Sequence, residues 1–223
     1  MPQRWNFPAK AYEGIVQETY NGISMSHYAD RPANLVELLA RSVGDFPQRE
    51  AVIDDTARLS YKDFDALAQN LAYHLFELGI GKGDRVAVLM PNSWEFAVAY
   101  YGITRLGAIA VLLNWRCSSS ELEYMLNDSG AKYLLMHSDY WEKIQPIEEC
   151  SLKGIYVCGN PISGETHDFQ DLLKTAFKAG FPKTSIEESD GAAILYTSGT
   201  TGRPKGALQT HRNCVSNAII ASR

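Results

Sequence analysis

The residues best suited to chemistry lie together in the string YTSGTTGRPKG, which runs from Tyr196 to Gly206 of the 223-residue chain. Thr197, Ser198, Thr200 and Thr201 offer hydroxyls, and Gly199, Gly202 and Gly206 let the backbone turn tightly and approach a ligand closely. Lys205 adds a flexible point charge and Arg203 a second cation. The apolar run AAILY (192–196) precedes the string and reads as a strand. The loop is therefore expected at a carboxyl edge of a sheet, where open α/β folds bind ligands and where successive backbone N–H groups form anion-binding nests. Hydroxyls, amides and ammonium at this spacing favour a polyphosphate.

The nearest phosphate-loop pattern is G-x-x-x-x-G-K-[ST]. Gly199 to Lys205 has the right spacing, but Pro204 replaces the second glycine and Gly206 replaces the hydroxyl that would ligate Mg²⁺. An ordinary P-loop kinase or NTPase is therefore not the reading.

The elements that must carry this loop alternate. Asn34–Pro47 reads as a helix capped by Asn34, with Gly44 at its end and Pro47 beyond. Glu50–Tyr61 reads as a hairpin turning at Asp54-Asp55. Phe64, Leu67, Ala68, Leu71, Leu75 and Leu78 recur at helical spacing up to Gly79. DRVAVLM (84–90) is a continuous apolar strand, the pattern of a parallel strand covered on both faces. A helix follows with Asn92 and Glu95 as a capping box; it is apolar almost all round, so its place is in the core. AIAVLLN, AKYLLMHS and GIYVCG read as further strands. Between them lie a helix opened by Ser118 and Glu121 at capping-box spacing and a second one broken near Pro146. DFQDLLKTAF is a short helix, and HRNCVSNAIIASR starts another after the loop. Strand–helix alternation with right-handed crossovers predicts a doubly wound, mostly parallel α/β sheet. Residues 1–30 show no period and read as an arm lying over the body formed by 31–223. The turn-rich stretches 160–170 and 182–191 are surface loops.

Other reactive side chains have plainer readings. His211 opens a helix and is structural. Trp94, Tyr100 and Tyr101 lie on an apolar helix and belong to the core. Cys117 has no paired base and is an inert thiol. Asp54 and Asp55 are explained by the turn, and the pairs Glu148-Glu149 and Glu187-Glu188 by solvation.

Composition sets the outer bounds. Hydrophobic residues make up 45% and charged residues 21%, as in ordinary globular proteins. The net charge of −5, without basic runs, argues against a nucleic-acid surface. The four cysteines form no C-x-x-C pair or zinc-like cluster and read as reduced thiols. No secretory signal or membrane-length apolar run is visible, so the expected location is the cytoplasm.

YTSGTTGRPKG resembles the signature of the adenylate-forming, AMP-binding enzymes, and residues 59–135 resemble their N-terminal pattern segment by segment. The resemblance implies an acyl-CoA synthetase type of ligase that uses ATP, Mg²⁺ and coenzyme A on a carboxylic acid. In that frame Thr197, Ser198, Thr200 and Thr201 are hydroxyl donors to the β and γ phosphates. Gly199 and Gly202 let the backbone come close, and Lys205 is the catalytic charge on the leaving pyrophosphate. Family members continue for several hundred residues beyond this loop, with the acid pocket, the Mg²⁺ carboxylate and a C-terminal domain there. The chain is accordingly expected to be an N-terminal portion, inactive alone and self-associating through uncovered sheet. The alternatives are a non-catalytic phosphate-binding module and an aryl-acid or peptide-synthetase adenylation fragment.

Overall fold

The computed structural model describes residues 14–20, 22–147, 150–174, 184–197 and 203–222. Strands β1 (Ile15–Tyr20) and β2 (Ile23–Tyr28) form an antiparallel hairpin. This part of the expected arm thus has regular structure that hydropathy did not announce. Helix α1 (Leu35–Asp45) is capped by Asn34, whose side chain accepts from the Glu37 amide. It ends at Phe46, so Gly44 lies inside it and is no stop signal. Strands β3 (Glu50–Ile53) and β4 (Arg58–Ser60) form the expected hairpin. Helix α2 (Tyr61–Glu77) ends where Gly79 takes a φ of 79°, a conformation that suits glycine.

Then the alternation sets in. Strand β5 (Arg85–Leu89) leads to α3 (Trp94–Arg105), capped by Ser93 and not by Asn92. Strand β6 (Ile109–Leu112) leads to α4 (Ser119–Ser129), whose Ser118/Glu121 capping box is complete. Strand β7 (Tyr133–His137) leads to the short α5 (Trp141–Ile144), then β8 (Gly154–Cys158) and β9 (His167–Asp168). The helix expected at Asp168 is a 3-10 turn over Phe169–Leu173. Strand β10 (Gly191–Thr197) is followed by β11 (Lys205–Thr210) and α6 (His211–Ser222).

Among the described residues, seven strands form one sheet in the order β11-β10-β6-β5-β7-β8-β9. All pairs are parallel except β10–β11. Alternate residues of β5 serve the two faces, as the period of 2 requires: Val86 and Val88 join the cluster under α2 and α3, while Ala87 and Leu89 join the cluster under α4. The fold is therefore the doubly wound α/β sheet that the alternation predicts. Helices α2 and α3 pack closely at Gly102, where an added Cβ would sit 2.5 Å from Leu71 Cδ2 and 3.0 Å from the Ala68 carbonyl oxygen.

Candidate phosphate-binding site

The carboxyl ends of β6 and β10 lie side by side, with Leu195 in register with Leu112. Thr197 is the last residue of β10 and Lys205 the first of β11, and they face each other across the antiparallel pair. Directly opposed residues on such a pair project to the same face with Cβ atoms roughly 5 Å apart. A hydroxyl and an ammonium are thus presented together at the connecting end of the hairpin, and both residues are exposed. Of the residues expected to contact phosphate, Ser198, Gly199, Thr200, Thr201 and Gly202 lie outside the described residues. Lys205 is drawn toward Thr197 by strand β11, an element that the sequence reading ran together with the loop.

Three residues around the loop have roles other than those expected. Gly206 is not a turn residue. It lies in β11 opposite Tyr196, where an added Cβ would come within 3.2 Å of that ring and 3.1 Å of Ile194; its use here is to make room. Arg203, expected as a second cation of the loop, places its guanidinium 5.2 Å from the centre of the Tyr124 ring on α4. Tyr196 drew no attention in the sequence beyond its place in the string. Its hydroxyl donates to Asp128 on α4, at 2.6 Å from Oδ2. Burial, and then this carboxylate, push the phenol well above its ordinary pKa, so it remains a donor at neutral pH.

His211, just behind the hairpin, is fully buried. Its Nδ1 accepts from the Leu35 amide at 3.3 Å, tying α6 to the start of α1. Its Nε2 has no hydrogen-bond partner. Burial pushes the imidazole down to about 4, with Lys82 adding to the effect and Asp190 opposing it, so the ring is neutral near pH 7. A neutral ring bonded to backbone is a structural histidine. Trp94, Tyr100 and Tyr101 pack against the main core. Burial and the nearby Glu121 raise the Cys117 thiol, which keeps it protonated at neutral pH.

Glu188 departs from expectation. It pairs with Arg31 at 2.5 Å and with Arg212 at 3.0 Å, and Arg212 also reaches Glu18 of β1 at 2.6 Å. This charge network docks the β1–β2 hairpin on α6. Glu187 is held locally, taking a hydrogen bond from Ser185, while Glu148 and Glu149 lie outside the described residues. Among the described residues no cluster of His, Cys, Asp and Glu could hold a metal ion, and no helix is long and apolar enough to cross a membrane.

The described chain is thus an open, mostly parallel α/β sheet with Thr197 and Lys205 opposed at its carboxyl edge. The AMP-binding enzyme family model matches residues 39–222, and the chain belongs to that family. Over 179 residues it is 36% identical to the long-chain-fatty-acid–CoA ligase FadD13 of Mycobacterium tuberculosis, covering 77% of this chain and 34% of that one. It is similar in structure to a long-chain-fatty-acid–CoA ligase, FadD1, of Archaeoglobus fulgidus, with a TM-score of 0.74, 28% identity and coverage of 85% and 39%. The anthranilate–CoA ligase AuaEII, solved with anthranoyl-AMP, gives a TM-score of 0.74 at 27% identity, with coverage of 82% and 36%. The chain spans a little over a third of the length of these relatives and corresponds to the N-terminal portion of such adenylate-forming ligases.

Proposed function

We propose that this chain is the phosphate-gripping part of an ATP-dependent carboxylic acid–CoA ligase. In the reaction a carboxylate oxygen attacks the α-phosphorus of ATP, the bond to the bridging oxygen breaks, and pyrophosphate leaves. The thiol sulfur of coenzyme A then attacks the acyl carbon, and AMP departs. Thr197, Ser198, Thr200 and Thr201 donate hydrogen bonds to the β and γ phosphates, and Gly199 and Gly202 allow backbone N–H groups to approach. Lys205 carries the charge that offsets the one developing on the leaving group, the main help such a loop gives. The observation that carries the reading is the opposition of Thr197 and Lys205 across the hairpin mouth, within a signature that the family shares. Relatives that act on fatty acids and on anthranilate lie at similar distance, so the proposal goes no further than a carboxylic acid.

The 223-residue chain by itself is proposed to be inactive and self-associating. Outer strand β11 leaves Leu208 56% exposed, and α6 leaves Ile220 67% exposed; an open edge flanked by apolar side chains favours association. A light-scattering mass of a monomer at micromolar concentration would contradict this. The functional test is acid-dependent ATP–pyrophosphate exchange. A longer gene product containing this chain should catalyse it, and Lys205→Ala should slow it about 100-fold. An unchanged rate in that variant removes Lys205 from its role.

A further inference from the structure

Both stems of the 198–202 loop touch the same turn of α4. On the incoming side, the Tyr196 hydroxyl donates to Asp128 Oδ2 at 2.6 Å. On the outgoing side, Arg203 lies over the ring of Tyr124, 5.2 Å from its centre. Tyr124 and Asp128 are four residues apart on α4, hence neighbours on one face. They are also joined to each other, since the Tyr124 hydroxyl donates to Asp128 Oδ1 at 3.3 Å. The tyrosine ring reaches this position because Gly206, its cross-strand neighbour, has no side chain. Helix α4 is itself anchored: a complete capping box starts it, and Leu122, Met125 and Leu126 are buried under the sheet. Helix α4 therefore meets Tyr196 on one side of residues 198–202 and Arg203 on the other.

We propose that Asp128 and Tyr124 are positioning residues for the phosphate loop, Asp128 acting through Tyr196 and Tyr124 through Arg203, so that α4 sets the spacing of its two stems. The inference rests on the reading of 197–205 as a phosphate cradle. Preorganisation is the physical content: donors already spaced for a polyphosphate lose less entropy on binding it. Arg203, spent on the tyrosine face, is on this account a strut and not a phosphate ligand.

Two measurements on the 223-residue protein separate this inference from the reading beneath it. The first needs no ligand: amide hydrogen exchange at residues 199–203. Tyr196→Phe and Asp128→Ala should each speed it about fivefold, the worth of one hydrogen bond. Asp128→Asn, which keeps an acceptor, should restore most of the protection, and exchange in β5 and β7 should not change. Unchanged exchange at 199–203 in both disruptive variants overturns the clamp. The second is calorimetric titration with inorganic pyrophosphate. Lys205→Ala should abolish binding, and Tyr196→Phe, Asp128→Ala and Tyr124→Leu should each weaken it about fivefold, with Asp128→Asn near wild type. If Lys205→Ala weakens binding while the Tyr196 and Asp128 variants do not, the positioning role falls and the cradle stands. Tighter binding by Tyr124→Leu shows that Arg203 released from the ring serves the phosphate, which overturns its role as a strut. If Lys205→Ala binds as wild type does, or wild type does not bind, the cradle reading falls, and the exchange data alone decide whether α4 holds the loop.

Discussion

At the centre of the sheet, Val86, Ala87, Val88 and Leu89 of β5 are all fully buried, whereas along β11 every residue from Lys205 to Gln209 is exposed. The two regions are held by different forces. The centre is fixed by apolar area removed from water on both faces, which is non-directional and large in sum. Strand β11 has backbone pairing on one side only, to β10, whose end is tied to α4 by the directed Tyr196–Asp128 contact. Such a division suits the proposed function: the scaffold is packed, and the part proposed to meet a charged ligand stays at the surface, where its polar groups remain available.

Breaking the packed region should cost most. Leu71 is fully buried beneath Gly102, so Leu71→Ala should lower stability by about 3 kcal/mol in a denaturant titration. A loss under about 1 kcal/mol would mean that α2 and α3 are not packed as described. Next comes His211. Its folded pKa, about 4, lies below the ordinary value near 6.5, so between those values the unfolded chain binds the extra proton. Stability from this group is fully present above pH 6.5 and declines as the pH falls toward 4, by up to about 3 kcal/mol. Melting curves from pH 7 to pH 4.5 should therefore flatten in His211→Gln, and equal slopes in the two proteins remove the histidine as the cause.

Asp54 should have a smaller effect. Its Oδ1 takes the amides of Thr56 and Ala57, and its Oδ2 takes the Trp94 amide at the start of α3. These bonds, the one from Trp94 first, hold the carboxyl down to about 2. Its contribution is therefore present above pH 4 and lost as the pH falls through 2. Asp54→Ala should lower the Tm at pH 7 by about 2–4 °C, while no change would show that water replaces the carboxylate at no loss. The smallest effect belongs to the other region. Lys205→Met should leave the Tm within about 2 °C of wild type, even though it removes the proposed charge on pyrophosphate. A large drop in Tm would make Lys205 a structural residue and blur the contrast between the two regions.

Much of this was legible in the chain itself. The heptad-like run through Leu71 and Leu75, the continuous apolar strand at 84–90 and the Ser118/Glu121 box are local patterns, and local patterns survive translation into structure. Errors fell where long-range partners decide. Glu188 looked solvated because its partners, Arg31 and Arg212, are distant from it in the sequence; the turn reading of Asp54 holds in its bonds to Thr56 and Ala57 but misses Trp94, 40 residues away. β1, β2 and β11 were missed because exposed strands lack the apolar alternation that marks buried ones.

By itself, then, the sequence determined the alternation of elements, the sheet class and the chemical character of the string at 196–206, because these depend on residue type and near spacing. Only the tertiary structure decided that Lys205 returns to face Thr197, that Gly206 makes space for Tyr196, and that α4 meets both stems of the loop. Those facts depend on which surfaces meet once the two apolar faces of the sheet are covered, and that is a property of the whole packed chain.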